Sequence, residues 1–316
     1  MGEPTVAEAL REAARRLEAV SDTARLDAEL LMTEALGVTR SDLLLRRTGD
    51  PVPGGFEALV ARREQHEPIA YILGRQEFYG LDLEVNPSVL IPRGDSEVII
   101  EAARESFADR LPERVLDLGT GSGALLLAAL SLWPEAEGLG VERDPQAIAV
   151  ARQNAVRTGI NAPPGPDEAA GESGRLPRKG AEAGVHALDG RARFVCCDWR
   201  KQGWHKHIGK FDLIVANPPY VEDHADLAPS VSDWEPAGAL FAGADGLDDY
   251  RILIPQLPAL LSPGGAAVFE IGASQADAVR ELASSAGLAS VLRRDLAGRP
   301  RALVLQLPLG KTGANS

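Results

Sequence analysis

From residue 114 onward, short apolar runs alternate with stretches in which apolar residues recur every three or four positions. Arg114-Val115-Leu116-Asp117-Leu118, Leu139-Gly140-Val141-Glu142, Asp212-Leu213-Ile214-Val215-Ala216 and Ala266-Ala267-Val268-Phe269-Glu270 have the length and apolar content of strands. A further strand is predicted over Arg193-Phe194-Val195-Cys196-Cys197-Asp198-Trp199, ending in an acid and an indole. Leu213-Ile214-Val215-Ala216 is apolar without alternation, the pattern of a strand buried on both faces. Val98, Ile99, Ile100 and Ala103 recur at helical spacing after a cap at Asp95 or Ser96. Ala147, Ile148, Val150 and Ala151 do so between Pro145 and Gly159, and two more helices are predicted over 248–261 and 275–286. Closing strands over 290–294 and 302–307 flank Asp295-Leu296-Ala297-Gly298-Arg299. Strands alternating with helices predict an α/β fold, an open, mostly parallel, doubly wound sheet.

The first third has a different period. Residues 5–66 read as helices: Ala7, Leu10, Ala14 and Leu17 form the first stripe. Asp22 is placed to cap a second helix running to Gly37, Ser41 starts a short third, and a fourth covers 56–65 after Pro53-Gly54-Gly55. No cluster of acid, base or nucleophile occurs here. Residues 1–74 are therefore expected to be a small helical domain that docks a partner, or else a stabilising cap on the main domain. Residues 76–85 alternate around Gly80 and predict a β-hairpin, so 75–93 is expected to connect this domain to a main domain over 94–310.

Sixteen of the thirty residues 161–190 are Gly, Pro or Ala, which predicts a flexible insertion that buries little. Residues 221–247 lack regular periodicity beside the candidate chemistry below, as expected of a lid or substrate wall. The tail 310–316 is expected to fray.

Composition narrows the setting. Net charge is −13, from 46 acidic against 33 basic residues, which argues against a protein that lives on nucleic-acid phosphates. No apolar run approaches the ~20 residues of a membrane span, and residues 1–4 lack the layout of a signal peptide. The two cysteines, Cys196 and Cys197, are adjacent and indicate neither a disulfide framework nor a zinc site. His205 and His207 lie in a polar connection without a neighbouring carboxylate, so no metal is expected. A cytoplasmic monomer without direct nucleic-acid or membrane contact is the expected form.

Two stretches carry chemistry. In the first, a strand is followed by Gly119-Thr120-Gly121-Ser122-Gly123 and a helix. Glycines let backbone approach a ligand closely, though the G-x-G-x-G spacing is tighter than the dinucleotide fingerprint and weak alone. Glu142 follows about 20 residues on, where an acid after the second strand meets ribose hydroxyls. Asp198 is placed to accept from an adenine amine and Trp199 to pack on the base, unless they are ordinary turn and core residues.

The second is Asn217-Pro218-Pro219-Tyr220. Proline fixes φ and has no N–H, so the chain must leave the sheet as a stiff corner with carbonyls free to accept. The Asn217 side-chain oxygen and a backbone carbonyl make a two-acceptor fork. Its matching donor is a planar –NH2, a carboxamide or a nucleobase amine, for which Tyr220 offers a face. Such nitrogens are poor nucleophiles, and holding both N–H bonds orients the lone pair. The corner thus suggests group transfer to an amino or amide nitrogen.

Asp117-Leu118-Gly119-Thr120-Gly121-Ser122-Gly123 together with Asn217-Pro218-Pro219-Tyr220 resembles the S-adenosylmethionine-dependent amino-methyltransferases. With Glu67-Pro68-Ile69-Ala70-Tyr71-Ile72-Leu73-Gly74 and Val89-Leu90-Ile91-Pro92-Arg93, the chain resembles the HemK family across most of residues 5–308. That family methylates a glutamine side-chain nitrogen in class-1 peptide chain release factors. The resemblance implies a seven-stranded methyltransferase domain behind a helical domain and a hairpin. It assigns Gly119, Thr120, Gly121, Ser122, Gly123, Glu142 and Trp199 to S-adenosylmethionine, which Asn217 also borders. Asn217, Pro218, Pro219 and Tyr220 fall to glutamine. It further implies in-line displacement with no metal, no covalent intermediate and no evident general base. Gly94-Asp95-Ser96-Glu97 departs from the family, which usually has a second proline and a threonine there. Methylation of a ribosomal-protein glutamine is the nearest alternative, and adenine-N6 methylation of nucleic acid a more distant one.

Overall fold

The structure is a computed structural model that describes residues 4–161 and 190–308. The insertion expected over 161–190 therefore lies, but for its two end residues, outside the described residues, as does the tail 310–316. The chain forms two compact units. Unit 1 comprises Met1–Arg75, Val85–Pro87 and Asp226–Glu235; unit 2 comprises Gln76–Glu84, Ser88–Ala225 and Pro236–Ser316. The hairpin, but for Arg75, thus belongs to unit 2, and part of the irregular stretch after the Asn217 corner belongs to unit 1.

Unit 1 is helical. Val6–Leu17 begins with a capping box in which the Glu8 N–H bonds to Thr5 Oγ1 at 3.3 Å and the Thr5 N–H to Glu8 Oε2 at 2.9 Å. Helices Ala24–Leu36 and Phe56–Glu64 pack on it through Leu10, Leu17, Leu31, Met32, Phe56 and Val60, all buried. Asp22 does not cap the second helix: Thr23 occupies that position, and its hydroxyl donates to Asp27 Oδ1. The third helix starts after Thr39, whose Oγ1 accepts the Asp42 N–H, and not at Ser41; its single turn Arg40–Asp42 widens into a π-turn, Leu43–Arg47.

Unit 2 starts within the predicted hairpin, β1 (Arg75–Phe78) and β2 (Leu81–Glu84), all of it but Arg75. Its two turn residues, Tyr79 and Gly80, both have positive φ, 50° and 79°, as a tight hairpin turn requires. The seven-stranded sheet comprises β3 (Arg114–Leu118), β4 (Glu137–Glu142), β5 (Ala192–Cys196), β6 (Phe211–Ala216), β7 (Leu261–Glu270), β8 (Ala289–Arg294) and β9 (Pro300–Gln306). Their order is β5-β4-β3-β6-β7-β9-β8, parallel as far as β7, with β9 antiparallel to both its neighbours.

The apolar run of β6 serves two cores. Leu213 and Val215 join Leu126, Leu127 and Ile99 on one face, whereas Ile214 and Ala216 join Leu253, Leu257 and Val279 on the other. The sheet is doubly wound, as its periodicity predicts.

Four local expectations are corrected. A 3-10 turn, Gly94–Ser96, precedes helix Glu97–Ser106, and neither Asp95 nor Ser96 caps that helix with its side chain. The helix expected over 248–261 is broken into Asp248–Leu253, a 3-10 turn Ile254–Gln256 and Leu257–Leu260, because Pro255 and Pro258 have no N–H to donate. β7 begins at Leu261, five residues ahead of Ala266. β5 ends at Cys196, so Asp198 and Trp199 lie in the turn beyond it. Among the described residues no helix is long and apolar enough to cross a membrane.

Candidate active site

The register of the central strands assembles the site. In the parallel pair β3–β6, Leu118 lies opposite Ala216. The next residues, Gly119 and Asn217, therefore leave the sheet side by side at its carboxyl edge, where strand order reverses.

The glycine turn needs its glycines. Gly119, Gly121 and Gly123 have φ of 77°, 51° and 85°, and the Gly119 and Thr120 N–H groups bond to the Val141 carbonyl at 2.9 and 3.1 Å. Thr120 Oγ1 donates to Asp117 Oδ2 at 2.6 Å. Asp117 is buried and its Oδ1 has no hydrogen-bond partner. Burial pushes this carboxyl up to about 7, with the Glu142 charge adding to the effect and the Thr120 hydroxyl opposing it. Glu142 ends β4 under the turn: Oε2 accepts the Gly121 N–H at 3.2 Å, and Oε1 accepts those of Arg143 and Asp144 at 2.7 and 3.1 Å.

A cavity runs from this turn past Glu142 and Trp199 to Asn217 and Pro219. A Cβ on Gly119 would sit 3.0 Å from the Trp199 ring, so the indole lies directly against the turn. Trp199 Nε1 donates to Asp249 Oδ1 at 3.0 Å, and Arg200 reaches both Asp249 oxygens at 3.0 Å. Asp249 is fully buried beneath the two. Asp198 is not on the cavity wall; its carboxylate accepts the Arg200 N–H at 2.9 Å and closes the turn after β5. Arg143 Nη2 donates to the Gly238 carbonyl at 2.9 Å, tying the turn Ala237–Ala239 to the rim.

At the corner, Asn217 Nδ2 donates to Ser96 Oγ at 3.3 Å. Pro219 borders the cavity, while Pro218 is buried off its wall. Tyr220 is also off the wall: its hydroxyl donates to Glu270 Oε1 at 3.2 Å, and its carbonyl accepts from Gln275 Nε2 at 3.0 Å. Burial raises the phenol well above its ordinary range.

Arg143, Asp144, Arg200 and Asp249 face the cavity without having been singled out by the sequence, as does Ser96, which the sequence offers only as a helix cap. Asp249 had a signal, being the second of two acids opening a helix, but that pattern reads first as favourable helix-end charge. No group of three or more His, Cys, Asp or Glu side chains among the described residues is arranged to hold a metal.

Geometry and relatives agree. A family model described as the PrmC N-terminal domain matches residues 8–74. A second, the ribosomal protein L11 methyltransferase family, matches residues 100–165. The release factor glutamine methyltransferase of Geobacter sulfurreducens is 40% identical over 273 residues, 84% of this chain and 83% of that protein. The chain belongs to the release factor glutamine methyltransferases. The corresponding protein of Cereibacter sphaeroides is 37% identical over 96% of this chain and 98% of its own. Among solved structures, the hMettl16 catalytic domain in complex with the MAT2A 3'UTR hairpin 6 matches with a TM-score of 0.51 at 15% identity. It covers 79% of this chain and 84% of that one, a likeness of fold alone. For this release factor glutamine methyltransferase family member, the L11 methyltransferase match contains the glycine turn and Glu142 but no part of the Asn217 corner. That match therefore concerns one half of the cavity only.

Proposed function

We propose that this chain transfers the methyl group of S-adenosylmethionine to the side-chain nitrogen, N5, of a glutamine in a class-1 peptide chain release factor. The observation that carries the reading is the pairing of Leu118 with Ala216, which sets a glycine turn and an acceptor corner at one edge of one cavity. Family membership supplies the substrate class.

The residues present fit the cofactor. Three positive-φ glycines admit close approach. The Asp117 Oδ1 atom is buried without a partner, Glu142 stands where ribose hydroxyls are received, and Trp199 offers a flat face. When bound, the cofactor supplies an electrophilic methyl on a sulfonium. The chain's part is positional. Asn217 Oδ1 and a proline carbonyl accept the two N–H bonds of the glutamine amide and aim its lone pair at the methyl carbon. With the amide nitrogen held there by Asn217 and the proline carbonyl, the bound cofactor would supply the methyl, and its sulfonium would keep the electron pair of the bond given up. The surplus amide proton leaves to water. Tyr220, held by Glu270, stiffens the corner from behind. Unit 1 carries no such chemistry, and we assign it the grip on the body of the release factor.

Labelled cofactor, supplied with purified release factor, ribosomal proteins, DNA and RNA in separate reactions, tests the reading. Mass spectrometry should locate one methyl on a release-factor glutamine. A methyl on adenine, or on a ribosomal protein in preference to the release factor, would overturn it.

A further inference from the structure

One buried carboxylate borders the cofactor half of the cavity without a part in the transfer described above. Asp249 is the second residue of helix Asp248–Leu253 and is 0% exposed. An acid at a helix start ordinarily sits in water, where it complements the charge of the helix end. Taking a carboxylate out of water is costly unless hydrogen bonds and a counter-charge replace the water. Here both do. Oδ1 accepts the Trp199 Nε1–H at 3.0 Å, and Arg200 Nη2 reaches both oxygens at 3.0 Å. Arg200 supplies the counter-charge from a partly exposed position, while Trp199 supplies only its N–H.

The indole is held at opposite ends. Nε1 lies on its five-membered ring, bonded to Asp249. Cη2 and Cζ3 lie on the far edge of its six-membered ring, 3.0 and 3.3 Å from where a Cβ on Gly119 would stand. The rest of the ring packs against the core that holds Leu253 and Leu257. An indole nitrogen donates one hydrogen bond and accepts none, so a single acceptor decides how the ring is turned. A carboxylate is the stronger kind of acceptor. Rotation about the Cβ–Cγ bond would pull Nε1 from Asp249 and swing the far edge off the glycine turn.

We propose that Asp249 is a positioning residue of the cofactor half: its carboxylate fixes the rotation of the Trp199 indole against Gly119, so that the ring meets the nucleobase of the cofactor as a preset flat wall. This rests on the proposed use of S-adenosylmethionine and deepens it by naming what aims the aromatic surface. Without Asp249 the ring would still be flat but would take several orientations, and the ordering needed on binding would be subtracted from affinity.

The test uses the full chain with Asp249→Leu, Asp249→Asn, Trp199→Phe and the combination of Trp199→Phe with Asp249→Leu. S-adenosylmethionine affinity is measured by calorimetry, and the exchange of the Trp199 indole proton with water by nuclear magnetic resonance, assigned through Trp199→Phe. Turnover with release factor is followed at varied cofactor concentration. Asp249→Leu offers no acceptor and should weaken cofactor binding about five- to thirtyfold, a fraction of what an aromatic–base contact supplies. The loss should appear in the KM for cofactor, with kcat near parental at saturation. Asp249→Asn keeps an oxygen for the indole and should recover most of the affinity. Trp199→Phe has no N–H to hold, so adding Asp249→Leu to it should change affinity less than about twofold. The Trp199 proton should exchange slowly in the parent and markedly faster in Asp249→Leu. Parental affinity in Asp249→Leu, the same loss in both backgrounds, or equal proton exchange in parent and Asp249→Leu overturns the proposal. If Asp249→Leu does not fold, the parent and Asp249→Asn decide it, since a freely exchanging indole proton in either overturns it. A parent chain that binds no S-adenosylmethionine would instead defeat the proposed function, and proton exchange would still decide whether Asp249 fixes the ring.

Discussion

A single oxygen, Oδ1 of Asn217, is the atom on which the acceptor half of the site turns. Asn217→Ala should lower kcat by ~10²–10³, the usual loss when a donor–acceptor contact made in the transition state is removed. Because Asn217 holds the acceptor, cofactor affinity should stay within a few-fold, which calorimetry beside turnover will show. Asp117 makes a prediction about pH. Its carboxyl titrates at about 7 in the fold against an ordinary 3.8, so the folded chain keeps a proton that the unfolded chain has already lost. Its contribution to stability is complete below 3.8 and is lost as pH rises through 7. Asp117→Asn cannot lose that proton. The difference in unfolding midpoint between variant and parent should therefore grow in the variant's favour across that window and level off above it. Sequence legibility at this scale followed chemistry that stays local. Gly119, Gly121 and Asn217 announce themselves because each stands beside its own turn or corner. Ser96 does not, since 121 residues separate it from its partner Asn217 and a hydroxyl before a helix reads first as a cap. Asp198 read as a ligand group because it follows a strand, yet its carboxylate is engaged by the Arg200 N–H.

Elements were easier to foresee than their ends. Apolar runs show where β3 and β6 pass through the interior, but their endpoints depend on partners far along the chain. Ala192, in the edge strand β5, is an example. The Gly138 N–H takes the Arg191 carbonyl at 2.8 Å, so both backbone groups of Ala192 face away from β4. Asn161 meets them: its Nδ2 donates to the Ala192 carbonyl at 2.6 Å, and its Oδ1 accepts the Ala192 N–H at 2.9 Å. One side chain thus stands in for a strand. Asn161→Ala should leave both groups unpaired and destabilise unit 2 by about 1–3 kcal/mol, read as a lower urea midpoint with unchanged slope. The helix over 248–261 failed for a reason written in plain view, since Pro255 and Pro258 each remove a donor. Apolar spacing was simply the louder signal.

For the molecule as a whole, the proposed grip of unit 1 on a release factor makes its own prediction. Binding energy gathered far from the reacting amide positions it, so the intact factor should have a kcat/KM about tenfold or more above that of a short peptide carrying the same glutamine. Competition between the two for limiting enzyme, followed by mass spectrometry, measures the ratio. Equal reactivity would remove the docking role from unit 1 and leave the chemistry of unit 2 untouched. The division into units has a further consequence, for how such a protein can be taken apart. The polypeptide passes from one unit to the other after Arg75, Glu84, Pro87, Ala225 and Glu235, five times in all. No single cut separates them. A gene truncated at Arg75 would strand Val85–Pro87 and Asp226–Glu235 without the helices they pack on. Exchanging the helical unit between relatives would thus mean moving three segments together, which makes the pair a poor subject for domain shuffling and ties their inheritance to one another.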